Sequence, residues 1–205
     1  MLKTLIVQYT PRGEMSNTKV LLDTFIKSVS DKTQIEILDI NENLPDFFSS
    51  LSLTAYGKRN YMGMELNESE KVSMARMDEM TEQFKNSDVV VMAYPMFNFG
   101  LPGIVKTYLD SIMQKGETWN VGDSGYVGFM TSKKLLTIFT SSGVYTDESG
   151  MKDWDGITPY TEIVKNFLGF GESVVISAQG TTGGKKDEAM NIAKEKIQNL
   201  VTKWF

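Results

Sequence analysis

The sequence predicts an α/β fold: a doubly wound five-stranded parallel sheet in the order 2-1-3-4-5, with helices on both faces. Three observations predict it. Short β-branched, apolar runs alternate with stretches of helical spacing along the 205 residues, as in successive βαβ units. The third run, Val89 to Tyr94 (VVVMAY), is apolar without a break, which suits a strand covered on both faces. There are five such runs, and no glycine fingerprint of a six-strand dinucleotide fold follows the first.

Taken in order, Leu2 to Gln8 is strand one. From Ser16 the spacing turns helical, with Val20, Leu21, Phe25, Ile26 and Val29 expected on one face. Gln34 to Ile40 alternates as strand two. Asn41 to Asn67 is irregular, with Pro45 and two glycines, yet Phe47, Phe48, Tyr56 and Tyr61 suggest that it is packed; so long a connection is often functional. Glu68 to Asn86 reads as a helix with Val72, Ala75, Met80 and Phe84 inward. After strand three, Ile104 to Met113 is helical. Glu117 to Thr131 holds the turn signal Gly122-Asp123-Ser124-Gly125 of a hairpin-like excursion. Lys134 to Thr140 is strand four, Thr161 to Leu168 a helix, Ser173 to Ala178 strand five, and Lys185 to Trp204 a closing amphipathic helix. No repeat or low-complexity tract interrupts this flavodoxin-like pattern, so residues 1–205 are expected to form a single domain.

Composition narrows the chemistry. The chain is 41% hydrophobic and 23% charged, and no run approaches the roughly 18 apolar residues of a membrane span. Its start runs straight into an apolar strand without the features of a secretory signal, so a cytoplasmic location and no membrane partner are expected. With a net charge of -5 and no basic face, no nucleic-acid partner is expected. There are no cysteines and no histidines. That excludes disulfides, thiol nucleophiles, Ser-His-Asp machinery and His- or Cys-based zinc sites. No other metal-ligand cluster is visible, and Met74, Met77 and Met80 read as adaptable packing. A catalyst here must use carboxylates, Lys or Tyr, backbone dipoles, or a borrowed cofactor.

Ligands of doubly wound sheets sit beyond the carboxyl ends of the strands where strand order reverses, so the loops after strands one, three and four should converge. The first, Thr10 to Thr18 (TPRGEMSNT), brings Thr10, Arg12, Ser16, Asn17 and Thr18 to a helix N-terminus, where free N–H groups and the helix dipole favour a phosphate. Capping by Ser16 or Asn17 explains one of these residues but not all five. The loop is neither GxxxxGK[ST] nor GxGxxG, and Asp39, at the end of strand two, reads as a structural strand-end residue. The second loop, Pro95-Met96-Phe97-Asn98-Phe99, ends its strand at a proline and offers flat apolar surface and amides; a core plug of aromatics is the competing reading. The third, Thr140-Ser141-Ser142-Gly143-Val144, allows close approach to the backbone, although Ser-Ser-Gly is also an ordinary turn. Together they describe a ligand with a phosphate at one end and a flat heteroaromatic ring at the other, a description FMN fits.

These residues resemble those of the FMN-dependent, NAD(P)H-using azoreductases within the flavodoxin-like quinone reductases, over nearly the whole chain. Pro95-Met-Phe-Asn-Phe99 is similar to the family's P-M-Y-N-F flavin loop, with Phe97 where Tyr is usual. Asn166-Phe-Leu-Gly-Phe170 resembles its F-L-G-F segment. The first loop is similar in length and polarity to its phosphate loop and to the S-P-R-x-x-x-S-N-T loops of related FMN reductases. Two departures stand out. The usual S-R-G-G after strand four is Ser141-Ser142-Gly143-Val144, and the excursion's paired aromatics are reduced to Trp119-Asn120-Val121.

The resemblance implies bound FMN and a ping-pong cycle. NADH or NADPH delivers hydride to flavin N5, and a quinone or azo compound then takes two electrons. It implies that backbone N–H groups around Phe97 to Phe99 address N5 and O4, and that those of Ser142 and Gly143 stabilise charge at N1/O2. It implies a homodimer, for which Trp119, Tyr126, Tyr145 and Phe167 are candidates to line the substrate pocket. No catalytic side chain is needed. Lys106 and Asp110 read as a structural i,i+4 pair. The alternative is a flavodoxin-type FMN electron carrier without turnover of its own. A phosphoacceptor receiver is disfavoured, because Gln8-Tyr9-Thr10 and Tyr94-Pro95 stand where it needs acids, and so is a phosphodiesterase.

Overall fold

The computed structural model describes residues 1–205. Strands β1 (Leu2–Gln8), β2 (Thr33–Asp39), β3 (Val89–Pro95), β6 (Lys134–Thr140) and β7 (Glu172–Ala178) form one sheet in the order β2-β1-β3-β6-β7, with all pairs parallel. Counting sheet strands alone, that is the expected 2-1-3-4-5. Strands β4 (Trp119–Gly122) and β5 (Gly125–Gly128) form the separate antiparallel hairpin expected of the excursion.

The sheet has a core on each face because its central strands alternate. Ile6, Val89, Val91, Ala93, Leu136 and Ile138 point to the side covered by α1 (Asn17–Val29) and α6 (Lys186–Trp204). Leu5, Val7, Val90, Met92, Leu135 and Phe139 point to the side covered by α3 (Glu68–Lys85), α4 (Gly103–Ile112) and α5 (Thr158–Leu168). Strand β2 lies at an edge, where Ile37 is exposed.

Three expectations need correction. On α1 the buried face is Leu21, Leu22, Phe25 and Val29; Val20 is exposed, since Leu22 stacks one turn below Phe25 and Ile26 and takes the inward place. On α3 the inward residues are Met74, Met77, Met80, Thr81 and Phe84, while Val72 and Ala75 face out. The three methionines set that face at i, i+3, i+6, and the two smaller side chains fall between them. The segment Asn41 to Asn67 is not irregular throughout: α2 (Ser50–Tyr56) runs on into a π turn, Gly57–Tyr61. Ser49 and Ser52 form a capping box that starts α2. Arg59 then bonds both carboxylate oxygens of Asp78 at 2.7 and 2.8 Å and Oε1 of Gln114 at 2.8 Å, and Asn60 Nδ2 donates to the Lys115 carbonyl at 2.7 Å. The Lys115 N–H donates to the Tyr56 hydroxyl at 2.9 Å, and burial pushes that hydroxyl up to about 12. Phe48, Tyr56 and Tyr61 pack in series, but Phe47 is 79% exposed.

Lys106 and Asp110 do pair along α4. Asp39 is a strand-end residue, accepting from Gln8 Nε2 at 2.7 Å and the Asn41 N–H at 2.9 Å. No helix is long and apolar enough to cross a membrane.

Candidate functional site

A cavity of about 390 Å³ opens at the carboxyl edge of the sheet. Four loops meet there, one more than expected. Arg12, Ser16 and Asn17 come from the loop after β1, Pro95, Met96 and Phe97 from that after β3, and Ser141 and Ser142 from that after β6. The loop after β7 adds Thr181, Thr182 and Lys186, which sequence reasoning missed. The stretch Gly180-Thr-Thr-Gly-Gly-Lys-Lys186 at the end of the fifth sheet strand was the available signal. No carboxylate lines the cavity, and its two cations, Arg12 and Lys186, are absent from the chain's ion pairs.

In the first loop, Gly13 takes a left-handed φ of +54° and opens a tight turn. Ser16 caps α1, its Oγ accepting from the Lys19 N–H at 3.2 Å. The N–H groups of Asn17 and Thr18 have no acceptor in the chain, so the start of α1 keeps two donors free beside the cavity. Thr18 itself is fully buried, with its Oγ1 2.7 Å from Oγ1 of Thr140 at the end of β6. Thr10 is also buried and does not line the cavity; its carbonyl holds the turn by accepting from the Gly13 N–H at 2.9 Å.

The second loop is a two-residue turn. The Phe97 N–H donates to the Gly100 carbonyl and the Gly100 N–H to that of Phe97, both at 3.0 Å. Between them Asn98 (φ +46°) and Phe99 (φ +70°) are both left-handed, as in a type I′ turn. Phe97 is therefore not a free donor here; the free N–H groups are those of Asn98 and Phe99. Phe97 and Phe99 are each 45% exposed, which rules out a core plug.

In the third loop, Ser141 is tied on three sides. Its N–H donates to Ala178 at 3.1 Å, its Oγ to the Gly143 carbonyl at 2.8 Å, and its carbonyl accepts from the Thr181 N–H at 3.0 Å. The N–H groups of Ser142 and Gly143 stay free. A Cβ on Gly143 would sit 2.6 Å from the Tyr145 hydroxyl. Of the predicted cofactor residues, Thr10, Thr18, Asn98, Phe99 and Gly143 lie behind or beside the cavity wall, and the other eight line it.

The four substrate-pocket candidates divide. Trp119, Tyr126 and Phe167 form a cluster with centroids 4.9 to 5.5 Å apart, where the β4–β5 hairpin meets α5. Trp119 is nearly buried, its Nε1 donating to the Met113 carbonyl at 3.0 Å, whereas Tyr126 is 70% exposed. The F-L-G-F segment has a backbone reason. Gly169 ends α5 at φ +76°, and Gly128 approaches so closely that a Cβ there would lie 2.0 Å from the Leu168 carbonyl carbon. Tyr145 stands apart and packs edge-on against Phe99, centroids 6.0 Å apart.

Known proteins share this architecture. The chain is 28% identical over 202 residues to the FMN-dependent NADH:quinone oxidoreductase of Nitratidesulfovibrio vulgaris, covering 97% of this chain and 96% of that one. It is 27% identical over 210 residues to FMN-dependent NADH:quinone oxidoreductase 1 of Bacillus anthracis, covering 99% and 95%. Among solved structures, an FMN-dependent NADH-azoreductase from Bacillus anthracis in complex with FMN superposes with a TM-score of 0.90, at 27% identity and 99% coverage of both chains. A family model described as flavodoxin-like fold matches residues 2–201, and the chain belongs to that family.

Proposed function

We propose that this chain, acting as one domain, is an FMN-dependent oxidoreductase that takes electrons from NADH and passes them to a quinone or azo acceptor. The observation that carries the reading is a carboxylate-free cavity with two unpaired cations in a chain of net charge -5, set at the free donors that begin α1. That is an anion site, and the aromatic turn and the Ser142–Gly143 donors beside it suit a planar ring with hydrogen-bonding edges. The residues present fit FMN. The names of the relatives, aligned over almost their whole lengths, support the same cofactor, donor and acceptor classes.

In this reading Arg12, Ser16, Asn17 and Lys186 hold the phosphate, helped by the N–H groups of Asn17 and Thr18. The cofactor, when bound, supplies two-electron chemistry between nicotinamide and acceptor, and we include ping-pong order in the proposal. The free N–H groups of Asn98 and Phe99, beside the cavity, would donate to the ring. Those of Ser142 and Gly143 would oppose negative charge on it, as fixed dipoles that need no reorganisation. No acid or base side chain lines the cavity apart from the two cations, so protons come from water. We also infer a cytoplasmic homodimer, from the family resemblance; sedimentation of the purified protein as a monomer would remove that part alone.

The test is a titration with FMN followed by flavin fluorescence, then NADH-driven reduction of a quinone by the loaded protein. Binding and turnover are expected. Lys186→Glu reverses one charge facing the phosphate and weakens binding about tenfold at low salt, with less effect at high salt. A protein that ignores FMN would overturn the reading, and binding without turnover would reduce it to an electron carrier.

A further inference from the structure

The Asn98–Phe99 turn raises a question that its own sequence does not answer. Type I′ turns favour Asn followed by Gly, because both central residues are left-handed. Here the second position is Phe99, at φ +70°. A bulky residue held in this region is strained, and it persists only where the surroundings over-determine it.

The surroundings are the segment between β6 and α5. The Gly156 N–H donates to the Phe99 carbonyl at 2.8 Å. A Cβ on Gly156 would lie 2.7 Å from that same oxygen, so the approach needs glycine. The Phe99 ring stands edge-on to Trp154 at 5.0 Å and to Tyr145 at 6.0 Å, so two aromatics hold it. The strap is anchored at both ends. The Tyr145 N–H donates to Gln179 Oε1 at 2.6 Å. Asp155, nearly buried, accepts from the N–H groups of Ile157 and Thr158 at 2.9 and 3.0 Å, and from Oγ1 of Thr158 at 2.7 Å, at the start of α5. Trp154 is 53% exposed, so its contact with Phe99 is not incidental to filling a core.

We propose that Trp154 and Gly156 are positioning residues for the flavin: they hold Phe99 left-handed and thereby keep the Asn98 and Phe99 N–H groups available to the ring. The proposal rests on the FMN reading above. It assigns the strap a role in cofactor affinity and redox tuning, exercised through a backbone turn rather than by contact with the cofactor.

The test uses the full-length protein and two readouts, the FMN dissociation constant and the two-electron midpoint potential of the bound flavin. Trp154→Ala is expected to weaken FMN binding about three- to tenfold, the worth of an edge-on aromatic pair. It should also make the potential more negative, since donors that favour the electron-rich ring are loosened. Trp154→Phe keeps an aromatic against Phe99 and should return both values toward wild type. Gly156→Ala should act in the same direction; if it fails to fold, the two Trp154 variants decide. Wild-type affinity and potential in Trp154→Ala would overturn the proposal, as would a loss that Trp154→Phe does not repair. If the wild-type protein itself does not bind FMN, the functional reading falls and this proposal with it; the other two results remove only the strap.

Discussion

Replacing Thr18 by Val removes one hydroxyl from a buried pair and keeps the shape of the side chain. Thr18 is fully buried and Thr140 is 6% exposed, and their Oγ1 atoms are 2.7 Å apart. The net worth of such a bond is about 1 kcal/mol, but an orphaned buried partner costs about 1–3 kcal/mol, and the second figure governs here. Thr18→Val should therefore lower stability by about 1–3 kcal/mol, or roughly 2–12 °C in Tm for a chain of this size. Thr18→Val combined with Thr140→Val leaves no orphan and should be more stable than Thr18→Val alone. Thermal and urea unfolding of the cofactor-free protein measures both. A single variant as stable as wild type, or a double variant that loses the sum of the two singles, would refute the reasoning. An FMN titration of the same variants separates the two roles of Thr18: its N–H is untouched by the change, so affinity should fall far less than stability.

Two further predictions concern the scaffold. Gly128→Ala places a Cβ 2.0 to 2.3 Å from the Leu168–Gly169 backbone, which no rotamer change relieves; it should cost about 3 kcal/mol, read as a lower urea midpoint at unchanged slope, and an unchanged midpoint would show that the hairpin yields freely. Glu70 is held below the usual carboxylate range by Lys58 and by the Asn67 N–H. A carboxyl depressed in the folded state adds stability above its unfolded pKa of about 4.3, and that stability is lost as pH falls through the folded value. The fall in Tm from pH 6 to pH 3 should therefore be smaller in Glu70→Gln than in wild type, and parallel curves would remove Glu70 as a source of acid sensitivity.

The sheet was legible because its central strands β3 and β6 are buried on both faces and read as apolar runs, while the edge strand β2 shows the alternation of a half-exposed strand. Lys134–Thr140 was placed to the residue, and the strand order followed from the crossovers. Helix α2 was not legible. Ser50-Leu-Ser-Leu-Thr-Ala-Tyr56 has no apolar stripe of helical period, and its start depends on a Ser49–Ser52 capping box without the usual acid. The face of α3 was misjudged because valine looks more buried than methionine by type, whereas the real stripe is set by three methionines. At the site, composition found three of the four loops. The fourth was not expected because the reversal of strand order points to the loops after β1, β3 and β6, whereas β7, beside β6 at the sheet edge, also reaches the cavity. The left-handed turn at Asn98-Phe99 could not have been read from a Phe, since its conformation is imposed from a segment more than fifty residues away.

The division of the core by the sheet has a consequence for how such a protein can change. Strands β1, β3 and β6 give alternate side chains to two apolar clusters that do not merge. The start of α1 and the loop into α6, where the proposed phosphate site lies, are built on one cluster. The hairpin tryptophan, α5 and the F-L-G-F segment are built on the other. The backbone between them is a bulkhead: a repacking of the Trp119, Met130 and Leu168 compartment stops at the strands before it reaches Leu21, Leu22 and Met190. If the proposed sites hold, acceptor preference can drift on one side of that wall while the proposed phosphate site on the other stays as it was.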